Sequence, residues 1–319
     1  MSRYPEADLS RLQRTSIAAR SAKVEAAMLG RPAQDPGSFA EFWDGLPQIL
    51  AAQELRHLVA AILAARERGR PVVWMFGAHV VKVGLGPLLI RLCREGWATL
   101  MAVHGAFAIH DAELALWGAT SEDVATELPA GRFGTARETA ELLAAAAREA
   151  SRQQEGLGEA LGRLLVARHE EWRVESVIGM AYSLGVPATI HVAIGTDIVH
   201  QHPEFSGAET GEASARDFRI LAAHLADLEG AVVINVGSAV VLPEVFLKAC
   251  AVALNLGASN SGLHTATFDF ARQYRPTQNI VQRPPGAGGR GFYFLGHHEI
   301  LLPLLFQGLL LERGRAAEG

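Results

Sequence analysis

Cysteine is nearly missing from this chain of 319 residues, which has only Cys93 and Cys250. Both fall in apolar helical patterns, so they read as reduced core residues of a cytoplasmic protein and not as a disulfide framework. Lysine is nearly missing too: Lys23, Lys82 and Lys248 are all there are, and arginine carries the rest of the positive charge. The ordinary source of that bias is a GC-rich, arginine-preferring genome, yet it leaves lysine-imine chemistry very few candidates. Basic charge is not in excess. The net charge is −5 and no basic stripe stands out, so a general nucleic-acid binder is not expected. No uncharged apolar run reaches about 18 residues, which argues against a membrane span. The stretch MSRYPEADLSRLQR is polar and helical in pattern, without the apolar region of a signal peptide.

What is plentiful is apolar surface: 49% of the residues are hydrophobic, enough to bury one large or two small cores. Residues 7–29, 38–46 and 47–69 carry helical patterns, the last with an i, i+3, i+4, i+7 apolar stripe, and Pro32 to Gly37 breaks the series. From Pro71 onward strands alternate with helices. Strands are predicted at 72–76, 99–103, 188–193, 231–236 and, shorter, near 263–268. Helices are predicted at 87–95, 135–152, 157–168, 174–184, 214–228 and 243–254. This alternation specifies an α/β fold, a mostly parallel Rossmann-like sheet with helices on both faces. A helical N-terminal extension, 1–70, precedes the α/β domain, 71–319, and the two are read as one structural unit. The stretch RPPGAGGRG, 283–291, is predicted to be a loop.

The chemistry-bearing residues gather at predicted strand ends, where open parallel sheets bind their ligands. The loop after the first strand holds Gly77, Ala78, His79, Lys82 and Gly84; it does not follow G-x-G-x-x-G, so the dinucleotide fingerprint fails. A second loop is expected to hold His104, Gly105, His110 and Asp111. Later strand ends carry Gly195, Thr196, Asp197, His200 and His202, then Gly237 and Ser238. Glycines there let a backbone approach a ligand closely, and the helices that follow aim N–H groups at anions. His200, His202 and His264 are candidate bases by loop position, since imidazole titrates near physiological pH. His200 and His202, with Asp197 nearby, and Glu299 beside His298 also permit a metal reading, although alternate residues of an extended loop face opposite sides; no metal is assigned. Glu244 reads as a helix-start residue and Lys248 as one on a helix face.

Taken in order, these motifs make the chain from about Pro71 to Leu310 resemble deoxyhypusine synthase and its bacterial relatives. Residues 78–84 correspond to that family's Ser-Asn-Leu-Ile-Ser-Ser-Gly, and His104 through Asp111 to its Thr-Ala-Gly-Gly…Glu-Glu-Asp cofactor loop. Gly195-Thr196-Asp197 resembles Ile-Thr-Asp-Gly, and residues 236–241 resemble its triple-glycine turn. His264-Thr265-Ala266 matches Asn-Thr-Ala, and Arg275-Pro276 matches the Arg-Pro before the catalytic segment. The resemblance implies NAD as cofactor, with His79, His104, Gly105, Asp111, Asp197, Thr265, Ala266 and His297 near it. It also implies a homotetramer, a dimer of dimers with sites between paired subunits. The departures are chemical. Where the family has an acidic residue, a tryptophan and the nucleophilic lysine, this chain has Gln278, Gln282 and Pro284, and no lysine follows Lys248.

True hypusine formation is therefore not expected. The leading reading is an NAD-dependent enzyme of altered chemistry, performing dehydrogenation or imine-based group transfer on a small amine or alcohol. A histidine base would serve it, Arg275 could bind a carboxylate or phosphate, and Lys82 is the one site-loop lysine. Three readings stand beside it: a polyamine aminobutyl or aminopropyl transferase acting without an enzyme lysine, a non-catalytic cofactor-binding or scaffold protein, and a metal-dependent hydrolase.

Overall fold

Short runs of valine, isoleucine, methionine and phenylalanine with no polar alternation form strands only when both sheet faces are covered. Six strands, some of them such runs, are present in the computed structural model, which describes Gln13, residues 26–32 and residues 37–318. Most of the helix expected over 7–29, with Lys23, lies outside the described residues, as do residues 33–36 of the expected break. Ala26–Met28, at the helix's end, form a 3-10 turn. The chain divides into a unit ending at Gln53 and a larger one, Glu54–Gly319.

The elements are α1 (Phe39–Gly45), α2 (Leu50–Glu67), β1 (Val72–Phe76), α3 (His79–Lys82), α4 (Gly86–Arg94), β2 (Leu100–His104) and α5 (Gly105–Trp117). Then come α6 (Val124–Glu127), α7 (Arg137–Gln153), α8 (Leu157–Ala167), α9 (Val177–Ser183), β3 (Ala188–His191), α10 (Gly207–His224), β4 (Val232–Val236) and α11 (Val241–Asn255). The series closes with β5 (His264–Asp269), α12 (Tyr274–Pro276), a π-helical turn over Thr277–Gln282, β6 (Gly291–Leu295) and α13 (His298–Glu318).

The sheet order is β3-β2-β1-β4-β5-β6, and all five pairings are parallel. The order reverses direction between β1 and β4. Val73 and Met75 of β1 face a core built with Leu221 of α10 and Leu242 and Phe246 of α11. On the other face Trp74 stacks with Phe76 and Phe76 with Phe107 of α5, so helices cover both sides.

Several elements differ from the sequence reading; α3, for one, lies inside the stretch expected as the first loop. β2 passes straight into α5 at Gly105, so the expected second loop does not exist, and His110 and Asp111 sit on a helix. α10 starts at Gly207, well before 214, because Ser206 caps it by accepting the Glu209 N–H. The strand β6 follows the glycine-rich loop and was not expected; its Gly-Phe-Tyr-Phe-Leu run pairs only with β5. Among the described residues no helix is long and apolar enough to cross a membrane.

Candidate functional site

The reversal of strand order opens the crevice in which sheets of this kind bind ligands. Gly77 ends β1 and Gly237 ends β4, and the Gly77 N–H donates to the Val236 carbonyl at 2.8 Å. A Cβ on Gly77 would lie 2.1 Å from the Gly237 carbonyl oxygen. Gly237 has φ +66°, and a Cβ there would lie 2.7 Å from Cε1 of His298. Neither position admits a side chain, so the two backbones and the imidazole form a close-fitting floor. His298 is buried; its Nε2 lies 3.2 Å from the Phe268 carbonyl, so Nε2 carries the donating proton and Nδ1 is an acceptor without a partner. Burial pushes its pKa below the usual histidine range, which keeps that acceptor lone pair at neutral pH. His79 meets the His298 ring edge-on at 5.7 Å.

Backbone donors line the same crevice. Among the described residues no protein acceptor meets the N–H groups of Ala78, His79, Ser238 or Ala239. Ser238 Oγ accepts the Leu242 N–H at 3.2 Å, capping α11, and Asn235 Nδ2 holds the Ser238 carbonyl at 3.0 Å. Two pairs of unpartnered backbone donors thus follow the two glycines that pack against a buried, unpartnered acceptor.

The ends of β2 and β3 are built differently. Asp197 lies over Gly105, so closely that a Cβ there would be 2.0 Å from Oδ2, and it accepts the Ala106 N–H. The start of α5 is therefore already occupied by a carboxylate. Burial raises the Asp197 pKa, against the opposing pull of His200 and that backbone bond. His200 Nδ1 accepts from the Gly195 and Asp197 N–H groups at 3.0 and 3.2 Å, and its Nε2 is 3.8 Å from Asp197. His104 and His191 are register partners on β2 and β3; burial lowers both pKa values, that of His191 to about 4.

Beyond Lys82, at the far end of α3, lies a cavity of about 180 Å³ lined by Lys82, His110, Glu113, Glu122, Thr196 and Asp197 among others. His110 Nδ1 is 2.6 Å from Thr120 Oγ1, whose hydroxyl donates to Glu113, and Thr139 also donates to Glu113 at 2.9 Å. Burial first, then the Lys82 and His104 charges, push His110 down to about 4.

Several expected site residues stand elsewhere. Asp111 faces the start of α9, where it accepts from Ser176 Oγ and the Val177 and Ile178 N–H groups at 2.6, 2.7 and 3.0 Å, a buried helix cap. His264, Thr265 and Ala266 start β5 and so lie at the amino edge, opposite the crevice; Thr265 donates to the Ile280 carbonyl. His202 holds the Gly134 carbonyl at 2.8 Å. Arg275 is paired with Glu244 at 3.2 Å, and Glu244 also pairs with Lys248 and accepts from Asn279. His297 is exposed, and its neighbour His298 is the one turned inward. Thr196 is an exposed turn residue and Gly84, with φ +81°, faces open space. Sequence reasoning named His298 only in the metal reading, and missed His191, Thr120 and Glu113.

No family model matches the sequence, and no curated protein does. Solved structures match the fold. A candidate deoxyhypusine synthase from Entamoeba histolytica aligns with 11% identity over 88% of this chain and 97% of its own, with a TM-score of 0.51. A candidate LOR/SDH protein from Methanococcus maripaludis S2 aligns with 15% identity over 82% of this chain and 70% of its own, with a TM-score of 0.53. AgrE, solved with ornithine and NAD+, aligns with 17% identity over 82% of this chain at a TM-score of 0.52. The chain spans about a third of the length of AgrE and of the cyanobacterial arginine dihydrolase ArgZ. The α/β sheet is thus of the deoxyhypusine-synthase-like kind.

Proposed function

We propose that this chain binds a nicotinamide dinucleotide in the crevice between β1 and β4 and uses it on a small amine or alcohol. The observation that carries the reading is the unpartnered, buried Nδ1 of His298 on the glycine floor, flanked by open backbone donors. That set fits the group: Ala78, His79, Ser238 and Ala239 N–H groups suit anionic oxygens, and His298 Nδ1 suits a hydroxyl or amide donor. The NAD+ in the AgrE structure, on the same fold, supports it. When bound, the nicotinamide supplies a hydride acceptor. The residues of the chain bind it, orient it and keep His298 neutral. Anionic groups are turned away from the start of α5 by Asp197.

Lysine chemistry at the position the resemblance expects finds little support, because Lys248 is engaged with Glu244 on a helix flank and Pro284 stands where the nucleophile would be. Direct aminobutyl transfer to a small amine remains the second reading; spermidine-dependent NADH formation would favour it. Exposed Phe270, Leu295 and Ile300 near the carboxyl ends of β5 and β6 support association into a homo-oligomer, and two buried free cysteines suit a cytoplasmic setting.

The test is calorimetric titration with NAD+ and NADP+. Saturable binding is expected, with Gly237→Ala losing roughly tenfold or more in affinity because its methyl displaces His298. His298→Phe, which keeps the packing volume and removes Nδ1, is expected to lose affinity also. Absence of any thermal shift with either dinucleotide at millimolar concentration overturns the reading.

A further inference from the structure

The cavity beyond Lys82, at the other end of α3 from His79, shares no lining residue with the glycine floor or its backbone donors. Its polar lining is not random. The Thr120 hydroxyl has one proton, which it donates to Glu113; its oxygen must therefore accept from His110, which places the ring proton on Nδ1. Nε2 is left as a lone-pair acceptor, and no protein donor among the described residues meets it. Glu113 is itself fixed by Thr139, so the whole chain of hydrogen bonds exists to hold one tautomer of one imidazole.

A second acceptor lines the same cavity. Glu122 uses Oε2 to accept the Gly134 N–H at 3.0 Å, while its Oε1 is buried and has no partner. A carboxylate oxygen buried without a partner is costly, and a donor brought by a ligand removes that cost. Lys82 supplies the opposite charge, and among the described residues it forms no ion pair. The rest of the lining is mixed: Ile109, Val124, Phe133 and Ile198 are apolar, Ser121 and Thr196 bring hydroxyls, and Asp197 is a carboxylate already engaged with the Ala106 N–H. Two unpartnered acceptors and one cation in about 180 Å³, with Asp197 engaged at the start of α5, match a small molecule that carries an ammonium and a carboxylate on the same carbon.

We infer that this cavity is a binding site for a small α-amino acid, its ammonium held by Glu122 Oε1 and His110 Nε2 and its carboxylate by Lys82. Thr120 and Glu113 act as positioning residues, through His110. The inference rests on the proposed function in that it names the substrate class of a site beside the dinucleotide crevice. Binding of the amino acid does not itself require the cofactor, so the two can fail separately.

The experiment is a thermal-shift and calorimetric screen of the full chain, without dinucleotide, against the standard L-amino acids at millimolar concentration. At least one is expected to bind. Its decarboxylated amine and its deaminated acid are each expected to bind at least about tenfold more weakly, as follows from losing a charged hydrogen bond. Lys82→Met is expected to narrow the gap between amino acid and amine, and Glu122→Gln the gap between amino acid and acid; Gln keeps an oxygen for the Gly134 N–H. Thr120→Val is expected to weaken binding and to move the His110 ring proton between nitrogens, read by nitrogen NMR of the imidazole, with Thr120→Ser restoring both. No response to any amino acid, with NAD+ still bound, overturns this inference and leaves the dinucleotide reading intact. Amine or acid binding as tightly as the amino acid overturns it as well. Amino-acid binding without dinucleotide binding overturns only the reading of the crevice.

Discussion

Individual side chains at this sheet edge are tuned chiefly by burial. His191 sits at the end of β3 with its pKa pushed down to about 4 by desolvation and then by the His104 charge. A histidine with a depressed folded pKa binds fewer protons folded than unfolded between its two values. Its contribution to stability is present above about 6.5 and is lost as pH falls toward 4. The melting temperature is therefore expected to fall through that window, by the equivalent of up to about 3 kcal/mol from this residue. In a pH series of thermal melts, His191→Gln should flatten the acid limb; an unchanged slope would mean that His191 does not carry it. Histidine crowding at strand ends was legible in the sequence, but which end was not. His264 and His104 both flank strands, and in a parallel sheet only carboxyl ends meet at the ligand edge, so the amino-end His264 is out of reach. Asp111 was misread because Gly105 looked like part of a loop. With a helix starting there, a residue six positions on is carried around to the neighbouring helix.

At the level of elements, the corner between α8 and β3 depends on one carboxylate. Asp217 on α10 is fully buried and accepts the Gly158 and Ile190 N–H groups at 3.0 and 2.8 Å, closing the start of α8 and the free side of β3 together. Asp217→Ala leaves those donors unpaired and is expected to cost about 3 kcal/mol in denaturant unfolding. Burial raises the Asp217 pKa to about 7 against those hydrogen bonds. The sign is opposite to that of His191: the folded state holds the proton more tightly, so this contribution is full below about 3.8 and is lost as pH rises through 7. Asp217→Asn is expected to steepen the acid limb that His191→Gln flattens, and a parallel shift of the whole curve would contradict it. Helices and buried strands were legible because their apolar periods are long and clean. The strand β6 was not, since five residues behind a Pro-Gly-rich loop show no period until β5 is there to pair with them. Ser206 with Glu209 was a readable start signal for α10, passed over because the apolar stripe begins later.

For the whole molecule, sequence alone specified a parallel α/β sheet with helices on both faces, and the structure has one. The neighbour order of its strands was not legible, because pairing is a property of distant segments meeting and leaves no local pattern. That order decides which loops share an edge. It puts Gly77 beside Gly237, while Arg275 is taken up by Glu244, a result that matching motifs along the chain did not reveal. The exposed apolar residues near β5 and β6 bear on assembly at this scale. Light scattering is expected to give a mass above that of one chain, and Leu295→Glu with Ile300→Glu to lower it; a monomer at every concentration would contradict the expectation.

The single turn α3 carries His79 at its first residue and Lys82 at its last. The crevice and the cavity consequently have a wall in common, too short to deform at one end while the other stays still. Whatever pulls on one end tilts the other, and thermodynamic reciprocity then applies: if occupancy of the crevice changes the affinity of the cavity, the cavity changes that of the crevice by the same factor. Two compartments on one short turn would then be coupled without any moving domain.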